Sequence, residues 1–151
     1  MAVPIFYLPR SPSIIINTDA TLADATRKAV AYNNSVGDRF ADFFLDVEYE
    51  TSLPTAGAII GELFLLPGDG AGTEEFAEGG DGTIGSNVDP QKIHQVGFFE
   101  TRNPSLTVNE ILVIPAVQLY PANGRVVIKN VAGRAYGATW ELRIRPYTEQ
   151  I

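Results

Sequence analysis

The most regular pattern in the chain is a strict alternation of apolar and charged residues from Trp140 to Arg145. In an extended strand, this alternation places Trp140, Leu142 and Ile144 on one face and three charged side chains on the other. Such a segment is typical of a half-buried strand in an antiparallel sheet.

A second alternating stretch lies between residues 42 and 50. Its apolar positions are Phe43, Leu45, Val47 and Tyr49, and its acidic positions are Asp42, Asp46, Glu48 and Glu50. Phe44 is the single mismatch, an apolar residue on the acidic face. Two amphipathic strands far apart in the sequence predict a β-sandwich or a β-barrel.

Short apolar runs bounded by turn residues predict the remaining strands. They lie at 13–17, at 29–32 after a turn or loop around 19–24, and at 40–51, 58–66, 92–101, 110–114, 117–120, 125–131 and 138–145. Segment 58–66 is apolar on both faces, which predicts a central strand or one covered by a loop. About eight strands joined by short turns predict an all-β, antiparallel, jelly-roll-like sandwich.

One turn has a specific sequence signature. Asn123-Gly124 is the preferred pair for a type I′ hairpin turn, and it separates the predicted strands at 117–120 and 125–131. The sequence therefore predicts a hairpin between these two strands. Because of Pro121, the sequence does not determine how the residues of the two strands pair.

The length of 151 residues predicts one domain with a sizeable core. We expect an extended N-terminal arm at residues 1–12, followed by a single β-sandwich domain at residues 13–151. A long acidic, glycine-rich loop at residues 67–90 interrupts that domain.

The arm carries an apolar patch, Ile5 to Leu8, between Pro4 and Pro9. Because aromatic side chains are costly to leave in water, we expect this patch to dock on a protein surface, and we favour a neighbouring chain. The alternatives are a disordered terminus or an edge strand folded back on its own sheet. The predicted interface residues of the arm are Ile5, Phe6, Tyr7 and Leu8.

The loop at residues 67–90 contains seven glycines, six acidic residues and no lysine or arginine. Loops of this length in compact domains are usually functional or disordered. Glycine and acidic residues suit a calcium site, but the glycine-aspartate motif occurs once and its spacing fits neither an EF-hand nor a β-helix repeat. We therefore expect no metal, and we predict Glu74, Glu75 and Phe76 as interface residues.

The sequence gives little indication of enzymatic activity. There is no cysteine, and His94 is the single histidine, with no nucleophile elbow to accompany it. Acidic residues at the polar positions of an amphipathic strand are explained by the strand pattern. We expect no catalytic residues and no cofactor.

Charge and hydropathy limit the partners. A net charge of −7, with eleven scattered basic residues, disfavours nucleic acid. No apolar run approaches the roughly 20 residues of a membrane-spanning helix, and the N-terminus does not resemble a secretory signal. We expect neither nucleic acid nor membrane as a partner.

Aromatic side chains leave a carbohydrate-binding alternative open. Sandwich domains often bind sugars on tryptophan and tyrosine faces, and Trp140, Tyr120, Tyr136 and Tyr147 are candidates. Trp140 lies at an apolar position of its strand and is expected in the core.

From about Asn17 onward the chain resembles small structural proteins of tailed bacteriophages, most of all capsid decoration (cement) proteins with a jelly-roll-like sandwich. The segments that carry the resemblance are AYNNS at 31–35, FADFFLDVEY at 40–49, PTAG at 54–57, ELFLLPGDG at 62–70, VIKNVAG at 127–133 and LRIRPY at 142–147.

This resemblance implies a non-enzymatic virion protein that is assembled in host cytoplasm and binds the outside of the phage head, where it stabilises the shell. It implies the major capsid protein and further copies of the chain, as a dimer or trimer, as partners. A tail, collar or fibre component, or a carbohydrate-binding module, is the alternative function.

Overall fold

The computed structural model describes residues 6–9, 13–17, 20–34, 37–67, 82–83, 90, 92–120 and 123–150. These residues form β-strands and no α-helix. The strands are β1 (Phe6–Pro9), β2 (Ser13–Asn17), β3 (Thr26–Asn33), β4 (Phe40–Val47), β5 (Ile59–Pro67), β6 (Gly82–Thr83), β7 (Gln95–Glu100), β8 (Glu110–Gln118), β9 (Asn123–Asn130) and β10 (Glu141–Gln150). A single 3₁₀ turn, Lys92–His94, precedes β7.

The strands form two antiparallel sheets. Sheet one has the order β1-β10-β4-β8, with β2 also paired to β10, and sheet two has the order β6-β3-β9-β5-β7. Four pairings are nested in the sequence: β2 with β10, β3 with β9, β4 with β8 and β5 with β7. One long antiparallel hairpin rolled into two sheets gives this nesting, which is the topology of a jelly roll.

The ten segments correspond to an eight-stranded sandwich. Strands β1 and β2 pair with successive halves of β10 and share one edge position, while β6 contributes two residues beside β3. Each sheet then has four principal strands. The predicted all-β, antiparallel, jelly-roll-like sandwich of about eight strands is confirmed.

The core lies between the sheets and follows the alternation read from the sequence. Trp140, Leu142 and Ile144 are buried, as are all four apolar positions of the second alternating stretch. Sheet two contributes buried side chains that include Ile60, Leu63, Phe99, Val126 and Ile128. Burial of these apolar side chains is the main stabilising contribution to the fold.

Strand β5 is buried on both faces. Leu63 and Leu65 pack in the sandwich core, whereas Phe64 and Leu66 form a second buried cluster with Val127. The strand also pairs on both sides, with β9 and β7. The prediction of a central strand is confirmed.

Between residues 110 and 131, two local predictions were wrong. Asn123 and Gly124 form no hairpin turn; both lie in β9, opposite Asn33 and Tyr32 of β3. The reason is topological, because β8 belongs to sheet one and β9 to sheet two. The two strands predicted at 110–114 and 117–120 are one strand, β8, whose pairing with β4 shifts register around Pro115.

The N-terminal segment contributes β1, whose backbone pairs with the end of β10, from Phe6 opposite Gln150 to Pro9 opposite Tyr147. This pairing is the edge-strand alternative considered for the arm. Most of the loop at residues 67–90 lies outside the described residues. In the described part of the chain, no helix has the length and apolar character to cross a membrane.

Candidate functional site

The principal candidate site is an apolar surface along β8, the last strand of sheet one. Leu112 and Ile114 point into the core, whereas Ile111 and Val113 are 62% and 49% exposed. The preceding loop adds Val108 and Leu106, which are 67% and 45% exposed. We call these four exposed residues, Leu106, Val108, Ile111 and Val113, the β8 edge surface.

The adjacent strands of sheet one present charged side chains on the same outer face. Arg143 of β10 is ion-paired with Glu141 at 2.7 Å and lies 3.6 Å from Asp46 of β4. Phe44, the apolar mismatch on this face, lies under the guanidinium of Arg145, whose Cζ is 5.1 Å from the ring centroid. The charged face therefore ends at β8.

The loop before β8 is held by its own side chains. The carboxylate of Glu110 accepts hydrogen bonds from Thr101 Oγ1 at 2.5 Å and from the backbone amides of Arg102 and Asn103. Ser105 Oγ accepts hydrogen bonds of 3.1 Å from the amides of Thr107 and Val108. A preordered loop loses little conformational entropy when a partner binds it.

The inner side of β8 is fixed by close contact with β7. Gly97 of β7 faces Ile114 at a distance that leaves no space for a side chain, because a Cβ there would lie 2.8 Å from Ile114 Cγ2. Glycine at this position lets the edges of the two sheets approach each other. The β8 edge surface is therefore supported by the packed core beneath it.

A β-bulge ends the regular part of β8. The register with β4 shifts between Ala41 and Phe43, and on β8 Ala116 has a φ of 53°. A positive φ is uncommon for alanine and requires support from the surrounding structure. Asp42 supplies that support, since its Oδ1 accepts a hydrogen bond of 2.9 Å from the Ala116 amide.

The Asp42 carboxylate also binds two side chains of β10. Arg145 Nη2 donates to Oδ2 at 2.6 Å, and the Tyr147 hydroxyl donates to Oδ1 at 2.6 Å. Burial by itself would raise the pKa of Asp42, but the hydrogen bonds from Tyr147, Arg145 and Ala116 outweigh it and lower the pKa. The carboxylate is thus held ionised as a structural group at the bulge.

A depression of about 280 Å³ lies against β8. Its lining combines the exposed apolar side chains of Ile111 and Val113 on β8 with polar residues at the end of β7, in the β7–β8 loop and at the start of β8: Glu100, Arg102, Asn103 and Glu110. Exposed apolar side chains beside polar groups are typical of a surface that binds protein.

The structure describes the backbone of three of the seven predicted interface residues. The backbone of Phe6, Tyr7 and Leu8 is placed in β1, on the edge of sheet one opposite to β8. Ile5, Glu74, Glu75 and Phe76 lie outside the described residues. The proposed contact of these seven residues with another chain stays a prediction.

The aromatic side chains considered for carbohydrate binding do not form an exposed platform. Trp140 and Tyr136 are fully buried, and their rings pack edge to face at 5.7 Å. Tyr147 is bound to Asp42, and Tyr120 is half-buried. The expected core position of Trp140 is confirmed.

His94 lies in the 3₁₀ turn and not in a strand as predicted, because β7 begins one residue later. Among the described residues, no group of three or more histidine, cysteine, aspartate or glutamate side chains is arranged to hold a metal ion.

Sequence reasoning missed the β8 edge surface. The run Ile111-Leu112-Val113-Ile114 is apolar at every position, so its period does not reveal which side chains face outward. The signal available was the run itself, combined with Pro115, which is typical of an edge strand.

Comparisons with protein-family models, curated proteins and solved structures give no match for this chain. The function is therefore inferred from the geometry described above and from the resemblance noted in the sequence.

Proposed function

We propose that this chain is a non-enzymatic structural protein of a bacteriophage virion, a capsid decoration protein that binds the outside of the head and stabilises the shell. The observation that carries the proposal is the β8 edge surface, a supported apolar surface on a jelly-roll sandwich. The strand-and-turn segments that resemble decoration proteins support the same function.

The physical requirements of such a protein fit this surface. A virion protein must keep its shape while it contacts other subunits, and Ile111 and Val113 project from a strand whose other face is buried in the core. Burying both exposed side chains against a partner would contribute about 1–3 kcal/mol in total, given their partial exposure. Contacts of this size suffice when many copies bind one particle, because repeated attachment raises the effective concentration.

The proposed partners are the major capsid protein and further copies of the chain, and the proposed location is the exterior of the capsid. The N-terminal arm, residues 1–12, and the loop at residues 67–90 are proposed as additional contacts with the shell. Strand β1 and β8 occupy opposite edges of sheet one, so the arm and the β8 edge surface can engage different neighbours.

The carbohydrate-binding alternative has less support, because the full burial of Trp140 and Tyr136 removes two of its four candidate side chains. The alternative position in a tail, collar or fibre makes a different prediction about where the protein binds. Separate binding measurements on heads and on tails distinguish this position from a position on the head.

The test uses phage particles assembled without this protein. Purified full-length chain is added to isolated heads and, separately, to isolated tails, and bound protein is measured after sedimentation. We expect saturable binding to heads and a higher temperature for DNA release. Binding to tails alone, or none to either, would contradict the proposal.

The role of the β8 edge surface is tested in the same assay with the double variant Ile111→Asp and Val113→Asp. The matched control is Leu53→Asp, which alters an exposed apolar residue outside this surface, itself 43% exposed. We expect attachment to weaken by about tenfold or more in the double variant, because a partner would have to desolvate two carboxylates, and to stay unchanged in the control.

A further inference from the structure

The edge of β8 offers one short, regular segment for strand pairing. In the part of the chain that the structure describes, β8 pairs with β4 and with no other strand. Its regular part runs from Glu110 to Ile114, between the loop pinned by Glu110 and the bulge at Ala116. Pro115 has no backbone N–H, so pairing on this edge cannot continue with full hydrogen bonding beyond Ile114.

The side chains of this edge lack the usual protection against pairing. Natural edge strands are commonly protected by charged residues, bulges or proline. Here the bulge and Pro115 protect only the end of the strand, and the outward-facing side chains before them are Ile111 and Val113. An unprotected stretch with outward apolar side chains is suited to another strand.

We propose that a second copy of this chain occupies the β8 edge, with the two β8 strands antiparallel and centred on Leu112. The inference rests on the proposed function in that it gives the β8 edge surface a specific partner. Sheet one would continue across the dimer as β2-β10-β4-β8 followed by the same four strands in reverse order.

In this register, the side chains of one β8 strand are complementary to those of the β8 strand in the second copy. Ile111 lies opposite Val113 of the second copy, and Val113 opposite its Ile111, so that the apolar pairs form twice on the outer face. Glu110 lies opposite Ile114 of the second copy, and no like charges face each other directly. Apolar β-branched pairs stabilise antiparallel strands, whereas like charges directly opposite each other destabilise them.

The bulge favours a second copy over an unrelated extended segment. It limits the regular edge to the five residues Glu110–Ile114, and a two-fold axis at the central Leu112 uses all five on both chains. A continuous sheet formed in this way is an isologous contact that closes at two copies. A segment from another protein would have no reason to match this length or this centre.

The small size of the paired edge determines how strongly we expect the two copies to associate. Five residues and two exposed side chains on each chain bury less than the roughly 800 Å² per partner of a standard stable interface. The net charge of −7 on each copy also opposes association at low salt. We therefore expect a reversible dimer whose population rises with protein and salt concentration.

The first test measures association of the full-length chain by sedimentation velocity over a wide concentration range, without heads. We expect a monomer–dimer equilibrium that Val113→Lys shifts at least tenfold toward monomer and that Leu53→Lys leaves unchanged. Circular dichroism checks that both variants keep the wild-type strand content. A chain that stays monomeric at all concentrations and salts, or a dimer that Val113→Lys does not weaken, overturns the inference.

The second test reads the register, using the fact that the natural chain has no cysteine. Residues directly opposite in antiparallel strands have Cα atoms about 4.5–5.5 Å apart, within disulfide range, and diagonal neighbours are about 7–8 Å apart. Mixing Ile111→Cys with Val113→Cys should give cross-linked heterodimers on oxidation, while each variant alone gives little cross-linking. Efficient cross-linking of Ile111→Cys with itself contradicts the register.

The two proposals fail separately. Dimerisation without binding to heads leaves the β8 pairing in place and contradicts the decoration function. Binding to heads by a chain that is always monomeric contradicts the β8 pairing alone.

Discussion

Asp42 and Arg145 are direct cross-strand partners in sheet one, and Arg145 Nη2 lies 2.6 Å from Asp42 Oδ2. The side chain of Asp42 is almost fully buried, whereas that of Arg145 is about one-third exposed. The same carboxylate binds the Ala116 amide at 2.9 Å. One acidic residue on β4 therefore joins β10 to the bulge that ends the regular edge of β8.

Replacement of this carboxylate is expected to destabilise the fold. Asp42→Ala leaves the Tyr147 hydroxyl and the Ala116 amide without their acceptor, and we expect a loss of about 2–4 kcal/mol in the free energy of unfolding. Asp46→Ala is the matched control on the same strand. Its carboxylate is 3.6 Å from Arg143, and its Oδ1 accepts no hydrogen bond, so we expect a loss below about 1 kcal/mol. Urea denaturation of both variants measures the difference, and equal losses would contradict the role of Asp42.

The stability contributed by Asp42 should depend on pH. Its pKa in the folded chain is lowered from the ordinary value of 3.8, so the folded state favours the ionised form. The contribution is therefore complete above the ordinary pKa and is lost as the pH falls through the lowered value. We expect the difference in unfolding free energy between wild type and Asp42→Asn to be constant from about pH 7 to pH 5 and to shrink below pH 4. A difference that stays constant into the acid range would show that Asp42 does not titrate as expected.

Two buried tyrosines in contact with each other provide a matched pair of substitutions. The Tyr136 hydroxyl donates a hydrogen bond of 2.6 Å to the Ile60 carbonyl, and the ring packs on Tyr49 at 6.4 Å. The buried Tyr49 hydroxyl has no partner within hydrogen-bonding distance. Burial raises the pKa of the Tyr49 hydroxyl to about 12, and the nearby Thr101 side chain acts in the opposite direction without outweighing it.

Tyr136→Phe should therefore destabilise the fold by about 0.5–1.5 kcal/mol, because it removes a buried hydrogen bond to the Ile60 carbonyl, which keeps only the hydrogen bond of 3.0 Å from the Val131 amide. Tyr49→Phe keeps the ring and removes a buried hydroxyl that makes no hydrogen bond, so its effect should stay within about 0.5 kcal/mol. Thermal unfolding followed by circular dichroism compares the two. A larger loss for Tyr49→Phe would contradict the assignment of partners.

Deletion of residues 1–12 separates folding from attachment. The deletion removes β1 but keeps β2 and the core strands, so we expect a folded chain that lacks only the four strand residues of β1. If the arm contacts the shell as proposed, binding to heads should fall. Unchanged binding would leave β1 as an edge strand of its own sheet and remove the arm from the account of attachment.

The alternation of apolar and charged residues predicted the architecture because it depends on local geometry. Trp140, Leu142 and Ile144 could be placed in the core from their spacing alone, since each strand must bury one face. Prediction from a local turn signal failed at Asn123-Gly124, because this dipeptide, which favours a hairpin turn, lies inside β9. Pairing between strands distant in the sequence overrides the turn preference at that position.

The candidate site could not be predicted in the same way. Whether Ile111 or Leu112 faces outward depends on which sheet β8 joins, and that is a property of the whole topology. The support of Ala116 by Asp42 joins residues 74 positions apart, and nothing in either local sequence indicates it. Edge positions and long-range supports of this kind become visible only when the sheets are assembled.

The most direct test of the proposed function is a cryo-EM map of phage heads that carry this chain. We expect an eight-stranded sandwich on the outer surface of the shell, in contact with the major capsid protein, with β8 of one copy beside β8 of another. A map in which the chain occupies the tail, or is absent from the outer surface of the head, would contradict it.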